Sequence, residues 1–471
     1  QQMINILTEQ NVQRSLRELG PADVLIAPVL DGISFVDFEA GTRAMAAGER
    51  AARAVSGRLA ALALPATDYS AAEALRQGLQ AARPSTDKQA LVSLEVTGTQ
   101  HANATALANE LGLAPGDPVT VADARAAADR LYGRGDFERV DVQVREVAAG
   151  RSIVLTPVEA DWRHSRVRVG LELNSDFHDE HRFSVAAMHV LSWLNPWGGE
   201  LRTLARLGST RHLGTEWWQP LGPGSPWFGS LAVAHEADAL DAYSQRLKVM
   251  RVGVSSNTAT AALGRQLGTW GEVTLGVSRQ RFRASALLPE PAEGGSQTVS
   301  QTKRFVQVAL DTLEPLAFPT RGLLLQARYE RASDQDTAGR ALSQSAVQAM
   351  LPFRLGRWGG HLYGEWGKGR DGFSPLPLGG FLRLSGTPRN SVNGSTVLFG
   401  RAVLGHEVGR MPAGLGGAVR VGVSAELGAA VEDARAVHAG DLLRAGSAFV
   451  SVDTRFGPLY LAAGGTRLGG N

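Results

Sequence analysis

The chain has 471 residues, no cysteine, and 48 basic against 46 acidic side chains, a formal net charge of +2. Without thiols it forms neither disulfides nor thiolate metal sites, and a balanced charge with no basic run points away from nucleic acid. No apolar run reaches the ~18 residues of a spanning helix, so any membrane crossing has to be made by strands.

Taken in order, Met3 to Leu19 has the apolar spacing of an amphipathic helix and ends at Gly20-Pro21. Ala22 to Pro28 reads as a short buried strand, Asp31-Gly32 as a turn, and Phe38 to about Leu62 as a second helix. Residues 1–64 therefore suit the edge of an α/β domain and are too few for a whole one. Residues 65–90 contain Pro65, a short helix around Ala71 to Ala82 and the sequence RPSTDKQ, a linker by composition. The chain opens on Gln1 and closes on GGTRLGGN, and both ends read as cut from a longer protein.

Residues 91–160 carry a β-α-α-β-β order: a strand at Leu91 to Val96, helices at Ala102 to Leu113 and from Thr120 to Leu131, then strands at Phe137 to Val144 and Ser152 to Val158. That order implies two helices packed on a small sheet. All nine tryptophans lie at or beyond Trp162, and helical patterns almost vanish there. From Arg166 onward, alternating runs separated by Gly or Pro turns give about fifteen strands, among them 226–236, 243–255, 269–281, 302–313 and 457–464. Val419, Val421 and Val423 fall on one face and Arg420, Gly422 and Ser424 on the other. Period-2 repetition over 161–471 implies a large barrel with a hydrated lumen, and an even count of about sixteen strands implies that a last one is missing.

Three stretches resemble known families. Asn11 to Arg53, with Gly48-Glu49 in its helix, looks like the end of a bacterial patatin-like phospholipase domain. The resemblance implies a serine in a G-x-S-x-G elbow and an aspartate triplet upstream, neither of which is in this chain; Asp31-Gly32 is followed by Ile33. A serine lipid acyl hydrolase is thus implied for the full-length family, and this chain is expected to be inactive. Residues 91–160, with LYGRGDFERVDVQV, resemble a POTRA domain, which implies a periplasmic module that can pair a strand edge with another chain. Phe318-Pro319-Thr320-Arg321-Gly322 resembles the strand-start signature of the bacterial surface antigen superfamily of barrel insertases and transporters.

In that superfamily a loop folds into the lumen and carries an arginine-glycine-aromatic motif shortly after a glycine pair. The stretch LGGFLRLSG, Leu378 to Gly386, is similar to it. Gly379 and Gly380 match the pair and Gly386 the motif glycine; Ser385 stands where the arginine would be, and Arg383 lies two residues early. Glu365, Glu407 and Glu426 face the lumen, and Glu426 is assigned as the partner of Arg383. His178-Asp179-Glu180-His181 reads as a solvated turn, and no metal or cofactor is implied.

The fold expectation is therefore mainly β: a transmembrane barrel of about 16 strands, preceded by a POTRA domain at 91–160 and the tail of an α/β patatin domain at 1–64. The resemblances together imply a patatin-like autotransporter of type V secretion that anchors and delivers a phospholipase A-type hydrolase at the cell surface. The alternative is an outer-membrane protein insertase or transporter barrel, and a passive porin is a third reading. Implied partners are outer-membrane lipid, a phospholipid substrate for the absent catalytic part, and barrel-assembly machinery or chaperones at the POTRA domain. The implied location is the bacterial outer membrane with the POTRA domain in the periplasm.

Overall fold

The computed structural model describes residues 16–20, 23–31, 33, 40–81, 87–176, 181–244, 247–288, 296–335, 341–369, 376–411, 416–432, 442–454 and 456–467. The chain divides into two compact units, Gln1–Arg83 and Pro84–Asn471.

The first unit contains three described helices, α1 (Gly41–Ala54), α2 (Ser56–Ala60) and α3 (Ala66–Ala81). The strand expected at 22–28 does not form over its described residues 23–28, where Leu25 and Ile26 are exposed. A lone extended segment needs a neighbouring strand for its backbone groups, and the described residues offer none. The long helix expected to reach Leu62 breaks at Val55, whose backbone leaves the helical region. The presumed linker contains α3, a helix of 16 residues. Most of the helix expected at Met3 to Leu19 lies outside the described residues.

The second unit begins with a small two-layer domain. Strands β1 (Gln89–Val96), β2 (Pro118–Val119), β3 (Phe137–Val147) and β4 (Gly150–Glu159) form a sheet in the order β2-β1-β4-β3, with β1 and β4 parallel. Helices α4 (Ala104–Glu110) and α5 (Val121–Gly133) cover it. Asn103 caps α4, and Thr120 and Asp123 form a reciprocal capping box at α5. Leu91, Leu107, Leu131, Phe137, Ile153 and Leu155 make the core.

Glu159, at the end of β4, ties the sheet to the start of α4. Its carboxylate accepts from the backbone amides of Gln100, His101 and Ala102 at 3.0, 2.8 and 2.9 Å. Burial pushes this carboxyl up, but the amides and the His101 ring outweigh it and hold the pKa at about 2, below the ordinary 4.5. A depressed folded-state value gives stability that is complete above the unfolded value and lost as pH falls. We expect this domain to lose roughly 2 to 3 kcal/mol between pH 4.5 and 2. Glu159→Gln should flatten that acid limb in circular-dichroism melts; an unchanged limb would exclude Glu159 as its source.

The rest of the unit is one antiparallel meander of fifteen strands. These are β5 (Ser165–Ser175), β6 (His181–Leu191), β7 (Glu200–Gly208), β8 (Arg211–Pro220), β9 (Trp227–Ser244), β10 (Leu247–Gln266), β11 (Gly271–Leu288), β12 (Ser296–Asp311), β13 (Leu324–Gln335), β14 (Ala341–Leu355), β15 (Trp358–Gly369), β18 (Thr396–Arg410), β19 (Gly416–Val431), β20 (Leu443–Thr454) and β21 (Gly457–Arg467). Two short strands, β16 (Leu376–Leu378) and β17 (Val392–Gly394), pair with each other inside the long connection from β15 to β18. The sheet has fifteen strands, the number counted from the alternation, and among the described residues β5 and β21 are its unpaired edges.

Sidedness follows from the alternation. On β19, Val421, Val423, Ala425 and Leu427 are exposed while Arg420, Gly422, Ser424 and Glu426 are buried. The sheet curls so that the polar face is enclosed: Phe318, in the turn between β12 and β13, packs against Val403 of β18 and Phe449 of β20. An enclosed polar face and an exposed apolar one are what a barrel in lipid requires. Among the described residues no helix is long and apolar enough to cross a membrane.

A buried acid joins the small domain to the barrel's near end. Asp136, 1% exposed, receives Arg134 Nε at 3.2 Å, Trp193 Nε1 at 3.2 Å and Arg166 Nη1 at 3.0 Å. Arg166 also donates to the Arg134 carbonyl and to Ser192 Oγ. Asn109 of α4 donates to the Pro223 carbonyl in the β8–β9 turn at 3.1 Å, and Gly224 lies too close to α4 for any side chain. Asp136→Ala would leave the Arg166 guanidinium without its carboxylate, while Arg134 keeps Glu110 at 2.5 Å, a loss of about 3 kcal/mol. The expected result is faster proteolysis between residues 160 and 165 with the barrel intact.

Candidate functional site

The best-built polar site lies in the lumen, where the connection from β15 to β18 folds back inside. Its described part, 376–394, is a pinched hairpin. Gly379, Gly380, Leu382, Leu384, Gly386 and Asn390 all have positive φ. Two leucines in the left-handed region are strained, so the surroundings must hold them there.

Glu426 does most of that. Its Oε2 accepts from the amides of Leu384 and Ser385 at 2.8 and 2.7 Å, and its Oε1 accepts from the hydroxyls of Ser385 and Ser424 at 2.7 and 2.6 Å. Consecutive amides around a left-handed residue form an anion-binding nest. Four donors fill the roughly four acceptor sites of a carboxylate, so it is satisfied without a cation. Ser424 is braced in turn by Ser447, at 2.8 Å between hydroxyls.

Glu426 therefore meets the loop through backbone and serine and not through Arg383. The partner of Arg383 is Glu365 of β15, at 2.5 Å. The reason is geometric. Leu384 turns the chain between residues 383 and 385, which sends the arginine to one wall and presents the amides to the other. Ser385 lies at the centre of the contact: 2% exposed, it bonds to Glu426, its Oγ accepts from the Leu382 amide at 2.9 Å, and its carbonyl accepts from Thr466 of β21 at 2.7 Å. Arg401 of β18 donates to the Leu382 carbonyl at 2.8 Å and stacks over Tyr363.

Glycines set the closeness of the approach. A Cβ on Gly386 would stand 2.5 Å from Gly465 Cα, and one on Gly464 would stand 2.8 Å from Ser385 Cβ. Gly379, with φ +123, would meet the Pro388 carbonyl at 2.2 Å, whereas Gly380, with φ +107, has room. Apolar packing completes the seat: Leu378 and Leu384 are fully buried with Val397 and Phe399.

Phe318 to Gly322 lies in the turn that leads directly into β13, whose first residue is Leu324. Phe318 is 1% exposed and points into the lumen beneath the Arg420 guanidinium, which is 4.7 Å from its ring and bonded to Asp453 at 2.8 Å. Gly405 leaves room for that ring. Gly322 has φ +94 and sits where a Cβ would strike the Thr312 carbonyl at 1.9 Å. Thr320 donates its amide to the Glu314 carbonyl at 3.0 Å, and exposed Arg321 pairs with Glu314 at 2.6 Å. Pro319 supplies no amide to this turn. Leu382, at the loop tip, and Tyr460 pack against the cluster around Phe318, so loop and turn meet inside the barrel.

Sequence reasoning overlooked Arg401, Thr466 and the lumen role of Phe318. Gly464-Gly465 carried a readable signal, since adjacent glycines within a strand mark a close backbone approach. Of the His178-Asp179-Glu180-His181 stretch only His181 is described, and its ring meets Ser175 Oγ at 2.8 Å. Glu407 pairs with Arg410 at 2.8 Å, away from the loop.

No family model and no curated protein matches the chain. Among solved structures it is similar to BamA from Haemophilus ducreyi lacking POTRA domains 1-3, at 12% identity and a TM-score of 0.58, over 80% of this chain and 81% of that one. It is also similar to CdiB from Escherichia coli, at 14% identity and a TM-score of 0.54, over 81% of this chain and 73% of that one. The fold is that of a bacterial outer-membrane β-barrel. The apolar outward face on β19 suits that architecture. The likeness covers the barrel fold and does not extend to a patatin-like hydrolase.

Proposed function

We propose that this chain is an outer-membrane barrel that inserts or transports polypeptide, with a POTRA-type domain at 91–160 held at its periplasmic mouth. The supporting observation is the gate: a loop folded into the lumen and fixed to the wall by Glu426, above a turn plugged by Phe318. A passive pore gains nothing from filling its own lumen, whereas a barrel that opens for a large substrate needs a removable plug. Among the described residues β5 and β21 are the sheet's edges, whose backbone donors and acceptors an extended polypeptide can satisfy. The β-α-α-β-β order and the joint at Asp136 support a module that receives substrate on the periplasmic side.

The test is reconstitution into liposomes with an unfolded outer-membrane β-barrel polypeptide as substrate. Protease-protected, folded substrate should accumulate faster than in empty liposomes; equal rates would sink the reading. A large steady conductance of the unmodified protein in planar bilayers would favour the porin instead. Delivery of a hydrolase rests on the resemblance of residues 11–53 alone, and no feature of the fold adds to it.

A further inference from the structure

On strands β8 to β13 the outward face changes character along its length. Near the small domain it is apolar, with Trp217, Leu231, Val277, Leu275 and Val306 exposed. On the same face stand six exposed arginines: Arg304 and Arg331 level with Val277, and Arg279, Arg281, Arg283 and Arg211 beyond it. The register proves the shared face, because directly opposed residues point the same way. Arg211 is opposite Ala237, Ala237 opposite Ser255, and Ser255 opposite Arg283. Val277 is likewise opposite Arg304, and Arg304 opposite Arg331.

Among the described residues none of the six has an acidic partner, and Arg283 donates to the Ser296 hydroxyl at 3.3 Å. On β9, Asp241 is taken by Lys248 at 2.8 Å and by Arg251 at 3.7 Å. Between Arg211 and Arg283 the wall is recessed. Ala237, Ala239, Gly253, Ser255 and Leu287 line it with the two arginines around a cavity of about 560 Å³, and Asp238, in the same lining, has its carboxylate bonded to Arg182 at 2.8 Å. Strands β9 to β12 have 16 to 20 residues, well above the ~9–11 that cross a bilayer, so their distal halves rise past the hydrocarbon.

We infer that this face binds a phosphorylated lipid of the outer leaflet. The anionic headgroup would lie against Arg281 and Arg283 and in the recess beside Arg211, and the acyl chains would run down the apolar face toward Leu275 and Val277. Unpaired arginines immediately beyond an apolar band fit a ligand that has phosphate and acyl chain in that order. A soluble anion would use the arginines and leave the adjoining apolar face unexplained. Placing this end of the barrel outside the cell rests on the reading of residues 91–160 as periplasmic.

The test uses the full chain in nanodiscs of phosphatidylcholine doped with bis-phosphorylated lipid A, which is present in both leaflets, so neither orientation nor transport enters the result. Retained lipid A is measured by mass spectrometry after gel filtration. Lipid A should be retained over phosphatidylcholine, and Arg281→Glu with Arg283→Glu should lower retention at least about tenfold. The double lysine variant should keep most of it, and excess inorganic phosphate should not displace it. Equal retention of dephosphorylated lipid A, or full retention by the double glutamate variant, would overturn the inference. Displacement by inorganic phosphate would replace the lipid with a free anion. Loss of polypeptide insertion with lipid A still bound would strike the transporter reading and leave this one standing.

Discussion

Glu426→Ala should release the lumen loop. Alanine leaves the amides of Leu384 and Ser385 buried with nothing to accept from them, and it orphans the hydroxyls of Ser385 and Ser424. Two lost charge-assisted bonds to fixed backbone groups amount to about 4 kcal/mol, more than a strained turn can sustain. Glu426→Gln should be milder, near 2 kcal/mol, because a glutamine can aim its oxygen at the two amides while the serine hydroxyls rotate. Arg383→Ala should cost less than about 1 kcal/mol, since its pair with Glu365 is a third exposed. The chain has no cysteine, so a single Phe381→Cys reports cleanly by maleimide labelling. Labelling and bilayer conductance should rise in the order Arg383→Ala, Glu426→Gln, Glu426→Ala. A larger effect of Arg383→Ala than of Glu426→Ala would mean that the cation, and not the nest, fixes the loop.

That order inverts what the residues alone suggested, for a physical reason. A sequence displays charges, so Arg383 and Glu426 look like a pair. It does not display the left-handed backbone at Leu382 and Leu384, which turns amides toward the carboxylate. The serine in place of the family-type arginine looked like a lost contact. It is a contact of another kind, with hydroxyl, amide and carbonyl all engaged.

The barrel was readable because alternation is local. Fifteen runs were countable, and the faces of β19 divide as its pattern implies. Where the pattern blurred, so did the strands. The run expected at 243–255 spans the β9–β10 connection, and β10 continues through Ser255 to Asn257 as far as Gln266. Those polar residues interrupt the alternation because the outward face there lies beyond the apolar band and need not be hydrophobic. The run expected at 269–281 stops short of Arg283, and only the register places the arginines of β11 on one face with Val277. At the other extreme, Ala22 to Pro28 has the composition of a strand, but composition cannot supply a neighbour to pair with.

The glycines give a sharper test of the gate than the charges do, because each makes a different prediction from its geometry. Gly386→Ala places a methyl group 2.5 Å from the Gly465 backbone and imposes a side chain at φ +86. Neither side can give way, since β21 is bonded to β20 along its length. The expected outcome is displacement of the loop, with labelling of Phe381→Cys as high as in Glu426→Ala. Gly465→Ala should be nearly silent, because nothing lies within 4 Å of its own Cβ position. Gly464→Ala should fall between them, meeting Ser385 Cβ at 2.8 Å and the Gly446 carbonyl at 2.9 Å. Two neighbouring glycines thus separate contact from mere flexibility. If glycine served only to keep β21 pliable, Gly464→Ala and Gly465→Ala would have equal effects. If the loop is seated against the wall, they differ, and Gly386→Ala exceeds both.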